Sequence, residues 1–94
     1  MTLEKSNRFD EELQTITLFI ALDNPHRALK FLDDLIIKIE ELPLNPFSHR
    51  QRKLSTDKHI RELIFKGYTI PYYIDIQKNK IIILGIFNQN QWKE

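Results

Sequence analysis

IRELIFKGYTIPYYIDIQKNKIIILGIFNQNQW, residues 60–92, holds three β-like runs in succession with two short turns between them. In the first run Ile60, Glu62 and Ile64 oppose Arg61, Leu63 and Phe65, because successive strand side chains point to opposite faces. Lys66-Gly67 supplies a turn. Tyr68, Ile70, Tyr72, Ile74 and Ile76 then alternate with Thr69, Pro71, Tyr73 and Asp75, and a period of two marks a strand. Pro71 conflicts with this pattern, since proline cannot donate to a ladder. The alternation continues on both sides of it, so the strand stands and local distortion or an unpaired edge is expected there. Residues 77–80 form the next turn. The run 81–87, IIILGIF, is the most apolar in the chain and opens a last strand over 81–88. Gly85 within it implies a bulge or a close approach by another backbone. Four side-chain amides, Asn88 to Gln91, end the run abruptly, and Trp92 follows.

Upstream the period changes to that of helices. Residues 2–6 alternate weakly and read as a short edge strand or a frayed arm, with the strand favoured. Ser6 or Asn7 is a good N-cap, and Asp10, Glu11 and Glu12 suit the positive end of a helix. Phe9, Leu13, Ile16 and Ile20 form one helical face. Leu18, Phe19 and Leu22 are expected to widen it, giving a helix over 9–22. Asn24 is held out of the α region by Pro25, which suits the first position of a second helix. Ala28, Leu32, Leu35, Ile39 and Leu42 mark that helix's buried stripe, with Leu29, Phe31 and Ile36 joining it. Pro43 ends it. So short a connection makes the two helices an antiparallel hairpin. The expected fold is α+β: a two-helix hairpin on one face of a three- to four-stranded antiparallel sheet, in the order (β)ααβββ.

The chain has 94 residues, which suits one domain over 1–94 with a single core. It has no cysteine, so disulfides, thiolate nucleophiles and Cys-type zinc sites are excluded. MTLEKSNRF lacks the apolar run of a signal peptide, and no apolar stretch approaches the roughly 20 residues of a membrane helix. A cytoplasmic protein with no membrane partner is expected. Fourteen basic and 13 acidic residues leave a net charge of +1, too balanced to point to nucleic acid by charge alone.

Residues 44–58 read as a loop in which positive charge gathers, at His49, Arg50, Arg52, Lys53, Lys58 and His59. It is either a solvated loop or a contact surface for an acidic partner or phosphate backbone. The three histidines show no metal-ligand spacing, and the two glycines make no phosphate loop. No metal and no cofactor is expected. Arg61 and Glu62 are adjacent on a strand and point to opposite faces. Arg61 reads as a charge on the exposed sheet face or as a functional group. Glu62 shares its face with Ile60 and Ile64, where a carboxylate needs a partner, and a structural salt bridge is the better account. Tyr68 and Tyr72 fall with the core isoleucines, while Tyr73 falls on the other face and suits surface contact. Amides do not transfer protons usefully near neutral pH. The tip at 88–92 therefore reads as a frayed end or a recognition surface using Asn88, Asn90 and Trp92.

The helical stretch FDEELQTITLFIALDNPHRALKFLDDL, the stretch IRELIFKGYTIPYYI and the strand IIILGIF, in this order and spacing, resemble the ParE/RelE superfamily of bacterial toxins. These are the toxin halves of type II toxin–antitoxin modules, and the resemblance covers almost the whole chain. It implies an antitoxin partner whose flexible segment folds along exposed parts of the helices or a sheet edge. RelE-like relatives are ribosome-dependent mRNA interferases, using basic, acidic or tyrosine side chains on the sheet face and near the C-terminus. ParE-like relatives poison DNA gyrase. Here Thr69 stands where nuclease relatives often carry Arg, and Asn88, Gln89 and Asn90 stand where they often carry His, Arg or Tyr. Only Arg61 and Glu62 remain at the resembling strand positions, whereas RNA cleavage needs a base, an acid and cations around the phosphate. Arg61 also matches the Arg that commonly opens this strand in ParE-like proteins. The resemblance thus implies a gyrase-directed toxin, with Arg61, Tyr73, Asn88, Asn90 and Trp92 as target-binding residues. Two alternatives stay open. One is a ribosome-dependent endoribonuclease acting through Arg61, Glu62 and the basic loop at Arg50, Arg52, Lys53 and Lys58. The other is a degenerate toxin retaining only antitoxin binding.

Overall fold

The computed structural model describes residues 1–53 and 55–88. Their order is β1 (Thr2–Lys5), α1 (Asn7–Asp23), α2 (Pro25–Glu40), a 3₁₀ turn (Leu42–Leu44), β2 (Ile60–Phe65), β3 (Tyr68–Asp75) and β4 (Lys80–Ile83). The edge strand, the helical hairpin and the three closing strands thus follow the expected order.

Local chemistry sets the helix boundaries. Ser6 is extended, and its hydroxyl accepts the Phe9 N–H at 3.0 Å, which caps α1. Asn24 is extended too, as a residue before proline must be. Its side chain accepts from the His26 and Arg27 amides at 3.0 and 3.2 Å, so one residue ends α1 and caps α2. Lys66 and Gly67 both have positive φ, at 48° and 84°. That pairing is the two-residue turn matching the twist of a tight hairpin, and it joins β2 to β3.

The sheet order is β1-β4-β3-β2. β2, β3 and β4 form an antiparallel meander. β1 departs from the wholly antiparallel expectation: it pairs parallel to β4, with Leu3 opposite Ile81, so the sheet is mixed. Alternating hydrophobicity records which face a strand buries but not its direction. A parallel pair needs a crossover connection, and the helical hairpin lies on that connection. Thr2 N–H to the Asn79 carbonyl and Ser6 N–H to the Ile83 carbonyl anchor the two ends of β1.

Phe9, Phe31, Leu35 and Ile39 from the helices meet Leu63, Phe65, Ile70, Tyr72, Ile74, Ile81, Ile83 and Ile86 from the sheet. Phe31 holds the far end, 5.5 Å from the Phe65 ring and 5.4 Å from Tyr68. The buried helical faces are narrower than the sequence implied. Leu18, Phe19 and Leu22 are exposed, Leu22 at 88%, and so are Leu29 and Ile36. At about 100° per residue, Leu18 and Leu22 lie roughly half a turn from the Phe9–Leu13–Ile16–Ile20 stripe. The sheet can cover one stripe of each helix, and the other leucines are left outside.

Pro71 lies inside the sheet, opposite Glu62 on β2 and not on an edge. The distortion falls on its other neighbour. β4 ends at Ile83 rather than continuing to Asn88, and the chain rejoins β3 only at the Thr69–Phe87 bridge. Gly85 sits in the irregular stretch between. The expectations at Pro71 and Gly85 are thus one feature, a bulge in the last strand.

Candidate functional site

Helices cover one face of the sheet. The other carries Glu62, Thr69, Pro71, Tyr73, Ile82 and Leu84, which alternate with the core residues. Phe87, paired with Thr69, shares this face. Glu62 is its chemical centre. Its side chain is only 4% exposed, and both oxygens accept from arginines. Arg52 Nη1 donates to Oε1 at 2.9 Å. Arg50 donates to Oε2 through Nε at 3.0 Å and Nη2 at 2.9 Å. Arg52 is as buried as Glu62, at 5%, while Arg50 is 58% exposed. The Arg52 guanidinium also lies 5.3 Å from the centre of the Phe87 ring.

Backbone pairing puts the arginines there. Arg52 N–H donates to the Ile60 carbonyl at 2.8 Å, Glu62 N–H donates to the Arg50 carbonyl at 3.0 Å, and Gln51 bridges Arg61. Residues 50–52 therefore act as a short extra strand on the outer edge of β2. Arginines two apart on an extended segment share a face, and that face meets Glu62. The salt bridge expected of Glu62 is present, with partners from the basic loop. The loop is accordingly not one uniform basic surface: Arg52 is consumed inside the sheet face, whereas Arg50, Lys53 and Lys58 are exposed.

Arg61 does not join this site. It lies in the row of Leu63 and Phe65, on the helix side, rather than on the open face. Its Nε donates to the Lys58 carbonyl at 2.8 Å and its Nη1 to the His49 carbonyl at 3.1 Å. The Phe47 ring centre is 5.0 Å from its guanidinium carbon. Arg61 thus ties Phe47, His49 and Lys58 to β2. Tyr72 holds the residue before Phe47, donating its hydroxyl to the Pro46 carbonyl at 2.6 Å. Burial pushes that phenol up to about 12, so it remains a proton donor through the physiological range. Tyr73 is half-buried on the helix-free face, its ring centre 6.5 Å from His59. His59 in turn contacts Asp57, ring nitrogen to carboxylate oxygen, at 3.1 Å. The His59 amide, and then its ring, hold the Asp57 carboxyl below its ordinary range. Asn88 is exposed, while Asn90 and Trp92 lie outside the described residues.

The structure therefore brings Glu62, Arg50, Arg52 and Phe87 together and keeps Arg61 apart from them. Among the described residues no group of three His, Asp or Glu side chains could hold a metal ion. No helix among them is long and apolar enough to cross a membrane. The Arg50–Arg52 pairing onto β2 was missed by sequence reasoning, though the Arg-x-Arg spacing opposite a lone strand carboxylate was a usable signal.

The family profile described as ParE toxin of type II toxin-antitoxin system, parDE, matches residues 3–91. Among solved structures, a chromosomal ParDE TA system from P. aeruginosa superposes with a TM-score of 0.72 at 22% identity, over 92% of each chain. The solution structure of a conserved hypothetical protein from Helicobacter pylori superposes with a TM-score of 0.51 at 19% identity, over 95% of this chain and 94% of that one. At these identities both likenesses concern the fold. No curated protein matches the chain.

Proposed function

The chain belongs to the ParE toxin family of type II toxin–antitoxin systems, and from that premise we propose that it is a single-domain, cytoplasmic toxin that binds DNA gyrase and is neutralised by a cognate antitoxin. It acts by binding rather than by cleaving RNA. The observation that carries this choice is the state of Glu62 and Arg61. They lie on opposite faces of β2, and among the described residues both Glu62 carboxylate oxygens accept from Arg50 and Arg52. A general base must reach the proton it abstracts, and here both carboxylate oxygens already face guanidinium groups.

Target binding is assigned to Tyr73 on the helix-free face and to Asn88, together with Asn90 and Trp92, which lie outside the described residues. Arg61 supports that surface by holding the His49 and Lys58 carbonyls. The antitoxin is assigned to the apolar residues left uncovered on the hairpin, Leu18, Phe19, Leu22, Leu29 and Ile36. Exposed apolar patches of this kind mark protein interaction sites. The likeness to a ParDE system supports such a partner.

The test sets a supercoiling assay with purified gyrase beside ribosome-dependent mRNA cleavage. Inhibited supercoiling, relieved by the antitoxin, is expected, together with intact mRNA. The N88A/W92A double variant is expected to lose about tenfold or more of its inhibition, as for a contact residue of hot-spot kind, at an unchanged melting temperature. Cleavage without a gyrase effect would overturn the proposal, and inactivity in both assays with tight antitoxin binding would reduce the chain to a binding module.

A further inference from the structure

We infer that Glu12 is a positioning residue for the stretch Leu84–Phe87, holding the bulge that turns Ile86 to the core and Phe87 to the helix-free face of the sheet. The inference rests on the reading of the tip as a target-binding surface.

Tyr72 stands opposite Ile83, and Thr69 stands opposite Phe87. Between these pairs β3 has Ile70 and Pro71, while the last strand has Leu84, Gly85 and Ile86. One extra residue reverses the alternation. Ile81 and Ile83 point into the core, and the next large core residue is Ile86, at 1% exposure. Phe87 is thereby turned to the open face, where Arg52 lies against its ring. Without the extra residue, Ile86 would face outward and Phe87 would face the helices, since a slip of one flips every side chain.

A bulge leaves backbone groups without ladder partners, and here Ser6 and Glu12 take up two of them. Leu84 N–H donates to the Pro71 carbonyl at 2.9 Å, but proline has no N–H to return. The Leu84 carbonyl instead accepts from the Ser6 hydroxyl at 3.0 Å. Ile86 N–H donates to Glu12 Oε1 at 3.1 Å. Glu12 Oε2 lies 3.5 Å from Arg8 Nε, one turn back. Ser6 also caps the helix, so its bond to Leu84 has a second use. The Glu12 contact has no capping role, since Glu12 lies beyond the first turn, and it joins the middle of α1 to the residue at which the alternation reverses.

The test compares the full chain with E12A and E12Q, because the glutamine amide oxygen can still accept from Ile86. The readouts are the exchange rate of the Ile86 amide proton, gyrase inhibition and the melting temperature. In E12A, Ile86 exchange should quicken by about tenfold or more, the scale of a lost hydrogen bond to a charged acceptor. Gyrase inhibition should weaken to a similar degree. E12Q should stay close to the parent in both, whatever the melting temperature does. Unchanged Ile86 exchange in E12A, or an E12Q as impaired as E12A, would overturn the inference. If the parent itself fails to inhibit gyrase, the target reading falls. Quickened exchange in E12A with protection in E12Q would then still establish the positioning role.

Discussion

Replacing Glu62 with alanine is expected to cost about 3–5 kcal/mol of folding stability, the penalty of breaking a buried ion pair by removing one member. The other member of that pair is Arg52, whose side chain is only 5% exposed. In a domain of this size each kcal/mol moves the melting temperature by roughly 4–8 °C, so E62A should melt on the order of 10 °C or more below the parent. Urea denaturation with a double-mutant cycle isolates the cause. R52A should be severe for the same reason, because it removes one buried partner. R50A should be mild, since Arg50 is 58% exposed and exposed ion pairs contribute about 0–1 kcal/mol. Replacing Glu62 and Arg52 together with apolar residues of similar volume should recover most of the loss, as paired replacements of buried ions commonly do. If E62A melts like the parent, the Glu62–Arg52 pair is not the fastening described above.

Tyr72→Ala is expected to be comparably damaging. Tyr72 has no exposed surface and packs in the centre of the core, where truncating a large aromatic costs about 3–5 kcal/mol. Tyr72→Phe keeps the ring and removes only the donor to the Pro46 carbonyl, so about 1 kcal/mol should be lost. Amide exchange between residues 45 and 49 should quicken in Y72F while the centre of the sheet stays protected. The same hydroxyl links stability to alkaline pH. Its folded pKa is raised from 10.0 to about 12 by burial. Stability is therefore fully present below pH 10 and is lost as the pH rises from 10 toward 12. In Y72F that part of the alkaline loss should vanish, which a comparison of urea midpoints at pH 9 and about 11 reads directly.

Much of this fold could be read from residue order alone. The Ser6 and Asn24–Pro25 signals act within one turn, and the Lys66-Gly67 turn needs only its own two residues. The alternation of Tyr68 to Ile76 placed Tyr72 in the core and Tyr73 on the opposite face because strand geometry is local. What escaped were pairings between distant segments. Nothing in Thr2–Lys5 tells which direction it will run beside Lys80–Ile83. Leu18 and Leu22 read as core because they are apolar, and only the finite width of the sheet excludes them. The site was legible to a similar depth. Glu62 announced its need for a partner, yet the choice of Arg50 and Arg52 depended on residues 50–52 lying along β2. Arg61 could be set apart from Glu62 by adjacency alone, whereas its contacts with the Lys58 and His49 carbonyls could not be foreseen.

The last strand also bears on how the molecule comes into being. β4 fills the gap between β1 and β3, and Ser6 is fastened to Leu84, 78 residues further along. A nascent chain that has not yet delivered Lys80–Ile83 has a helical hairpin and the β2–β3 hairpin, but β1 has nothing to pair with and β3 presents a bare edge. Contacts this far apart in sequence carry a loop-closure cost before they return any stability. Closure of the four-stranded sheet is therefore a late event in synthesis. A chain broken off before Lys80 would be a sticky fragment, not a weakened version of the whole.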